Sequence, residues 1–381
     1  MIRRLFALSI ALLAAGSACA QGVLPPFVIS DCYSLARGSA TLSDDSSAGA
    51  ANAAILQDAQ DRQGYGSGAR VRKGIYIPPG CWPIHTVTLG TNAAGDAARA
   101  GLAIVTGGGA GVGLNRNHNT VGSGNITRLY YTGAKDANNH AINYYGAGCW
   151  ISPLELCGIS LVDGTDYTNR DTSHTKTPVG IYVHSLDTSG VPNGRIFASH
   201  ILLQGFEKGV YVYQSDTGGN NDNLTWYSLD FDACDVGYEV NSTQSVTHLI
   251  GKVHTNYYVD TIFKFIKGGD LHCWSCQVNN PNCTILDLSG MTYDVAWGNF
   301  EVRNVRLDNN ADSPVLVKLN TYSGTPRNVI ITGTIGSGCT YTTADLVQGE
   351  NAADRIFIRF TGSSQAVTDL NGQSTVSEAP F

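Results

Sequence analysis

Two acids stand two residues apart in "LDFDAC" (Leu229 to Cys234), each between apolar neighbours. On a strand, successive side chains alternate faces, so Leu229 and Phe231 point one way and Asp230 and Asp232 the other. Their Cα atoms are then about 6.6 Å apart. Two carboxyl groups serve an inverting glycosidase at roughly 6.5–9.5 Å and a retaining one at roughly 5–5.5 Å. One acid would donate a proton from a raised pKa while the other activates water.

The hexapeptide is not unique. Its pattern (apolar, x, apolar, x, small, apolar) recurs as "LELCGI" at Leu154, "ILLQGF" at Ile201, "LHCWSC" at Leu271 and "FEVRNV" at Phe300. Looser copies are "LIGKVH" at Leu249 and "VIITGT" at Val329. If the copies stack, the second and fourth positions form an outward column. It holds Glu155 and Cys157, Leu202 and Gln204, Asp230 and Asp232, Ile250 and Lys252, His272 and Trp274, Glu301 and Arg303, then Ile330 and Thr332. A second chemistry fits this column. Lys252 or His272 could remove a proton beside a uronate carboxylate that Arg303 neutralises, which is β-elimination. Trp274 could stack on a sugar ring, with Glu301, Gln204 and Glu155 as polar contacts to a polymer lying along the face. Asp235, Glu207 and Lys208 follow the template strands and rank second as candidates.

Repeats of roughly 20–30 residues, each with short strands and turns, predict a β-solenoid whose template strands pair in parallel from coil to coil, about 4.8 Å apart. Leu154, Ile201, Leu229, Leu271 and Phe300 are then expected in one continuous interior stack. One helix is expected. Asp44-Asp45-Ser46 is a start signal, and Ala51, Ile55 and Ala59 in the Ala-rich run after it fall at helical spacing, with Gly64 as the stop. "GIYIPPGCWPI" (Gly74 to Ile84) follows as a strand ending in a Pro-Pro-Gly turn.

"LSDDSSAGAANAAILQDAQ", "GIYIPPGCWPI", the Gly-rich "VTGGGAGVG" and "ITRLYYTG" together resemble the pectate-lyase-like right-handed β-helix family. That family includes secreted rhamnogalacturonase-like proteins and phage tailspike depolymerases. The resemblance covers most of residues 31–360. It implies an all-β fold, a single-stranded right-handed parallel β-helix with an N-terminal capping α-helix. It also implies an extracellular polysaccharide as partner. The Asn-Thr-Asp, Gly-His-Gly and Arg-Ile-Lys motifs of polygalacturonases and the Trp-Ile-Asp-His block of classical pectate lyases are absent, so neither chemistry carries over. The family's tailspikes are homotrimers and its secreted enzymes are single chains; the sequence does not choose between them. A non-catalytic adhesin or virion recognition protein is the alternative from another class.

Composition agrees with this class. The chain has 381 residues, 43% hydrophobic and only 14% charged, with 44 glycines, enough apolar material for one long core. The expected layout is a leader over 1–20, a cap helix and first coil over 21–100, the β-helix over 101–360 and a polar tail or cap over 361–381. Met1-Ile2-Arg3-Arg4, the apolar run Leu5 to Ala15 and Ala18-Cys19-Ala20 read as a leader cleaved after Ala20, predicting a secreted or periplasmic protein. The apolar run is too short to span a membrane. Removing Arg3 and Arg4 takes the formal charge from −7 to −9, which disfavours nucleic acid as a partner. Export permits disulfides. Sequence proximity suggests Cys149–Cys157, Cys276–Cys283 and Cys32–Cys81. His272 beside Cys273-x-x-Cys276 raises zinc, but no second CxxC completes a set. No cofactor is legible; calcium could suit an acidic face, without a readable ligand set.

Overall fold

The computed structural model of the chain describes residues 33–34, 42–61, 75–77, 80–89, 103–106, 127–137, 139–146, 154–164, 175–185, 196–213, 224–242, 247–255, 258–279, 283–291, 298–308, 315–319, 327–335, 347–348, 355–361 and 375–376. The expected disulfide partners Cys32 and Cys149, the leader and Gly64 lie outside them. Among the described residues every strand pairing is parallel. The strands form one sheet of 17 and one of 9, because each coil contributes twice to the first sheet and once to the second. The molecule is a parallel β-helix.

A single coil shows how the chain achieves this. Ile196–Ser199 is a strand of the long sheet. His200 turns the chain in the left-handed region at φ 55°, and Ile201–Gln204 continues in a second limb of the same sheet. Gly205, at φ 84°, turns again, and Lys208–Tyr213 crosses to the short sheet. A left-handed residue changes strand direction in one step and suits glycine, or less readily His and Asn. One coil later Leu224–Asp232 runs through both limbs as a single strand before Val236–Asn241 joins the short sheet. The rungs lie about 4.8 Å apart.

Register separates two inward columns in the long sheet. The first limb stacks Ile196, Leu224, His248, Leu271, Phe300, Val329 and Ile356, and the backbone of Leu154 pairs in register with Ile196. The second limb stacks Ile201, Leu229, Val253, Cys276 and Val305. The single stack expected from the hexapeptide is therefore two neighbouring stacks. Ile201 and Leu229 belong to one, and Leu154, Leu271 and Phe300 to the other. Both limbs alternate inward apolar with outward residues, so the same pattern fits either. The copy at Leu249 is one residue out: His248 takes the inward place and Leu249 faces away.

The interior is apolar, with Leu229, Phe231, Leu271 and Val302 all fully buried. Each fully buried large side chain contributes roughly 1.5–3 kcal/mol. The polar exception is satisfied internally. Tyr238 Oη lies 2.8 Å from His248 Nδ1, and Trp226 Nε1 donates to Tyr238 Oη at 3.2 Å. Burial holds the His248 imidazole down to about 3, so it is neutral.

Cys81, Cys234, Cys273 and Cys276 are free thiols. The expected Cys276–Cys283 and Cys32–Cys81 bridges are thus not formed. The side chain of Cys157, like Cys149, is outside the description. Cys276 fills the interior column between Val253 and Val305, as an apolar residue would. Burial pushes the Cys273 thiol up to about 12, away from thiolate chemistry.

Helix α1 (Gly49–Asp61) closes the N-terminal end of the interior. Asp45 caps the preceding 3₁₀ turn by accepting from Ser47 N at 2.9 Å. The buried stripe is Asn52, Ala53, Leu56 and Ala59, where the sequence suggested Ala51, Ile55 and Ala59; Ala51 is exposed. Asn52 ties the helix down by donating to Pro83 O at 2.8 Å. At the other end Thr375–Val376 pairs with Phe357 and Ile358, so the ladder extends into the expected tail. Among the described residues no helix is long and apolar enough to cross a membrane.

Candidate functional site

The outward face of the first limb carries the candidate site. Alternation with the buried column puts two residues per rung on this face. One column runs Thr225, Leu249, His272, Glu301, Ile330 and Phe357. The other runs Tyr227, Gly251, Trp274, Arg303 and Thr332, each one residue after the inward Trp226, Ile250, Cys273, Val302 and Ile331. Of the sequence-predicted residues, the structure brings together His272, Trp274, Glu301 and Arg303.

Glu301 sits at the centre of this group. Its Oε2 lies 3.1 Å from His272 Nδ1, and its Oε1 accepts from the Arg303 guanidinium. Burial alone would push the Glu301 carboxyl up. The hydrogen bonds from His272 and Arg303 and the charge of both outweigh it, and the net shift is downward. Glu301 is a held carboxylate with 16% of its side chain exposed.

Asp270 lies on the same strand as His272, two residues earlier and on the same side. Its Oδ1 accepts from Asn299 N at 3.1 Å and Asn299 Nδ2 at 3.2 Å. Asn299 Oδ1 in turn accepts from Asn328 Nδ2 at 2.9 Å, which orients the Asn299 amide toward Asp270. Burial pushes the Asp270 carboxyl up, against the opposing pull of the Asn299 bonds and the charge of His272.

Two large aromatic residues stand beside these groups. Trp274 is 54% exposed and Tyr227 52%. They occupy the same column two rungs apart, about 10 Å at the spacing between rungs. The residue between them is Gly251, where an added Cβ would meet Tyr227 O at 2.6 Å. The backbone excludes a side chain there, so both rings keep open space beside them. Asn304, left-handed at φ 48°, donates to Trp274 O at 2.9 Å and fixes the corner that presents the indole.

The structure places the other candidates elsewhere. Asp230 and Asp232 face outward on the second limb, stacked under Leu202 and Gln204, and are separated from the first-limb group by the corner. Both are covered, at 3% and 0% exposure. Asp230 Oδ1 lies 3.1 Å from His254 Nδ1, and His254 Nε2 accepts from Asn279 Nδ2 at 2.9 Å. A carboxylate accepts only, so His254 donates through Nδ1 and is fully engaged. Gln204 is likewise buried, at odds with a contact to a surface polymer. Lys252 is exposed at the corner, paired in register with Ser228. Glu155 pairs in register with Phe197, its side chain lying outside the description. Asp235 is bound to Lys176 and Lys208 to Glu239, while Glu207 is exposed. His272 points outward and Cys273 and Cys276 inward, so the three do not converge on a metal. Among the described residues no group of His, Cys, Asp and Glu could hold one.

Asp270 and Tyr227 were missed in the sequence. Asp270 precedes the hexapeptide's first residue, and Tyr227 belongs to the limb that the "LDFDAC" alignment skipped. A polar residue does recur just before three inward residues, as Asp270-Leu271, Asn299-Phe300 and Asn328-Val329, and that was the available signal.

Comparison with known proteins gives no match: no family model, no curated protein and no solved structure is significantly similar to the chain.

Proposed function

We propose that this chain is a polysaccharide-binding and polysaccharide-cleaving β-helix that holds an extended glycan along the outward face of its first limb. Tyr227 and Trp274 are the stacking plates. His272, Glu301 and Arg303 supply polar contacts to hydroxyl or carboxylate groups of the polymer. The observation that carries this reading is the pair of half-exposed rings two rungs apart beside a charged cluster. Large exposed apolar groups grouped on one face mark an interaction surface, and a flat ring with its face free suits the apolar face of a sugar. The resemblance to pectate-lyase-like proteins points the same way, and the leader-like first 20 residues favour export and an extracellular polymer.

Binding to immobilised polygalacturonate, rhamnogalacturonan, alginate, xanthan and dextran tests the proposal. Retention on at least one is expected, weakened about tenfold in Trp274→Ala and less in Tyr227→Ala, with unchanged melting temperature. Wild-type binding that survives both substitutions intact would overturn the assigned face. Failure to bind any of the five would overturn the function.

A further inference from the structure

We infer that the glycan held on this face is an equatorially linked one, a flat β-1,4 chain that lies along the axis of the β-helix with one sugar over each rung. The inference rests on the glycan-binding reading and names its substrate class.

The direction comes from the two plates. Within a rung, the outward neighbour of Tyr227 is Thr225 and that of Trp274 is His272, and neither is a plate. Between rungs, Trp226 pairs with Ile250 and Ile250 with Cys273, so the next residues, Tyr227, Gly251 and Trp274, fall in line along the axis. A chain that touches both exposed rings therefore crosses the strands. The rung between the rings is bare, and the backbone keeps it so, because an added Cβ at Gly251 would meet Tyr227 O at 2.6 Å.

The spacing selects the linkage. A pyranose bonded through equatorial oxygens at C1 and C4 advances its chain by about one rung spacing. Successive sugars in such a chain are turned over relative to each other, so every second sugar presents the same apolar face to the same side. The two-sugar repeat then matches the two-rung interval of about 10 Å between the rings. The first and third sugars lie on the two plates, and the second spans Gly251. A chain with axial bonds, such as polygalacturonate or amylose, brings alternate sugars closer together and tilts them, so one plate loses its partner. The polar groups suit a flat chain as well. Arg303 follows Trp274 in the same column, 55% exposed, and meets a fourth sugar. His272 and Glu301 stand in the neighbouring column, where the equatorial hydroxyls at the edge of the chain reach them. Contacts after the first are made within one bound chain, so affinity climbs once the chain is long enough to reach both rings.

Calorimetric titration of the full chain with cellohexaose, xylohexaose, mannohexaose, maltohexaose and hexagalacturonate reads the preference. At least one of the three β-1,4 hexasaccharides is expected to bind about tenfold or more tighter than maltohexaose and hexagalacturonate. Within the β-1,4 series the largest gain in affinity is expected between the disaccharide and the trisaccharide, the first length that reaches both rings. In Tyr227→Ala and in Trp274→Ala that gain is expected to disappear, with the melting temperature at its wild-type value. Equal or tighter binding of maltohexaose or hexagalacturonate would overturn the inference while leaving the glycan-binding face standing. So would a length step that persists in both variants although their affinity falls, and so would retention on one of the five polymers with no β-1,4 hexasaccharide bound. Binding to none of the hexasaccharides and none of the five polymers would remove both readings.

Discussion

The outward face of the short sheet and that of the first limb are both rich in aromatic and charged residues, yet they are built differently. On the short sheet the rings spend their faces on each other. His140 stacks on Tyr182 at 4.1 Å, His184 on Tyr213 at 5.6 Å, and Tyr182 lies 5.7 Å from Tyr211. The charges pair in the same way. Lys208 sits 4.0 Å from the centre of the Tyr211 ring and 2.7 Å from Glu239, whose other oxygen takes Lys264 at 3.4 Å. On the first limb, Tyr227 lies 6.1 Å from His200 with the rings tilted, and Gly251 separates it from Trp274 by one rung. Like residues on adjacent rungs of a β-helix satisfy one another and stiffen the ladder. Where the rung-to-rung run is interrupted, aromatic faces are left exposed.

This contrast breaks if function follows the wrong face. The largest expected effect is the loss of glycan binding in the Tyr227→Ala/Trp274→Ala double variant, with stability unchanged. Its counterpart is Glu239→Gln. Removing the carboxylate that binds Lys208 and Lys264 at 2% exposure should cost about 2 kcal/mol of stability in urea melts and leave glycan affinity alone. An affinity loss would instead make the short sheet part of the binding surface. A smaller difference separates two aromatic truncations. Trp274→Ala should weaken binding with the melting temperature held, and Tyr211→Ala should lower the melting temperature with binding held.

Much of the fold was readable before any coordinates. The alternation in "LDFDAC", "ILLQGF", "LHCWSC" and "FEVRNV" is a strand period with a buried face, and its recurrence without helices between copies leaves a solenoid. Asp45 announced the helix start by its side chain. Half of the site was also visible. His272-Cys273-Trp274 and Glu301-Val302-Arg303 share one pattern and fall in register on adjacent rungs. The expected acids were misplaced for a definable reason. The corner between the limbs is only two residues long, and at Tyr227-Ser228 it carries no Gly or Pro to mark it. Leu224-Thr225-Trp226 and Leu229-Asp230-Phe231 therefore look equally like the start of a rung. Choosing the second put Asp230 and Asp232 beside His272 on paper, and left Tyr227 out.

The sequence by itself determined which side chains enter the core, because a period of two with large apolar residues has only one favourable face to bury. It also fixed the helix that closes the N-terminal end, through a capping acid and a run of helix-forming residues. Which polar residues meet was decided only in three dimensions. Coils joined by loops of unequal length set the register between rungs, so partners such as Asp270 and Asn299, 29 residues apart, find each other through chain closure rather than through any local pattern.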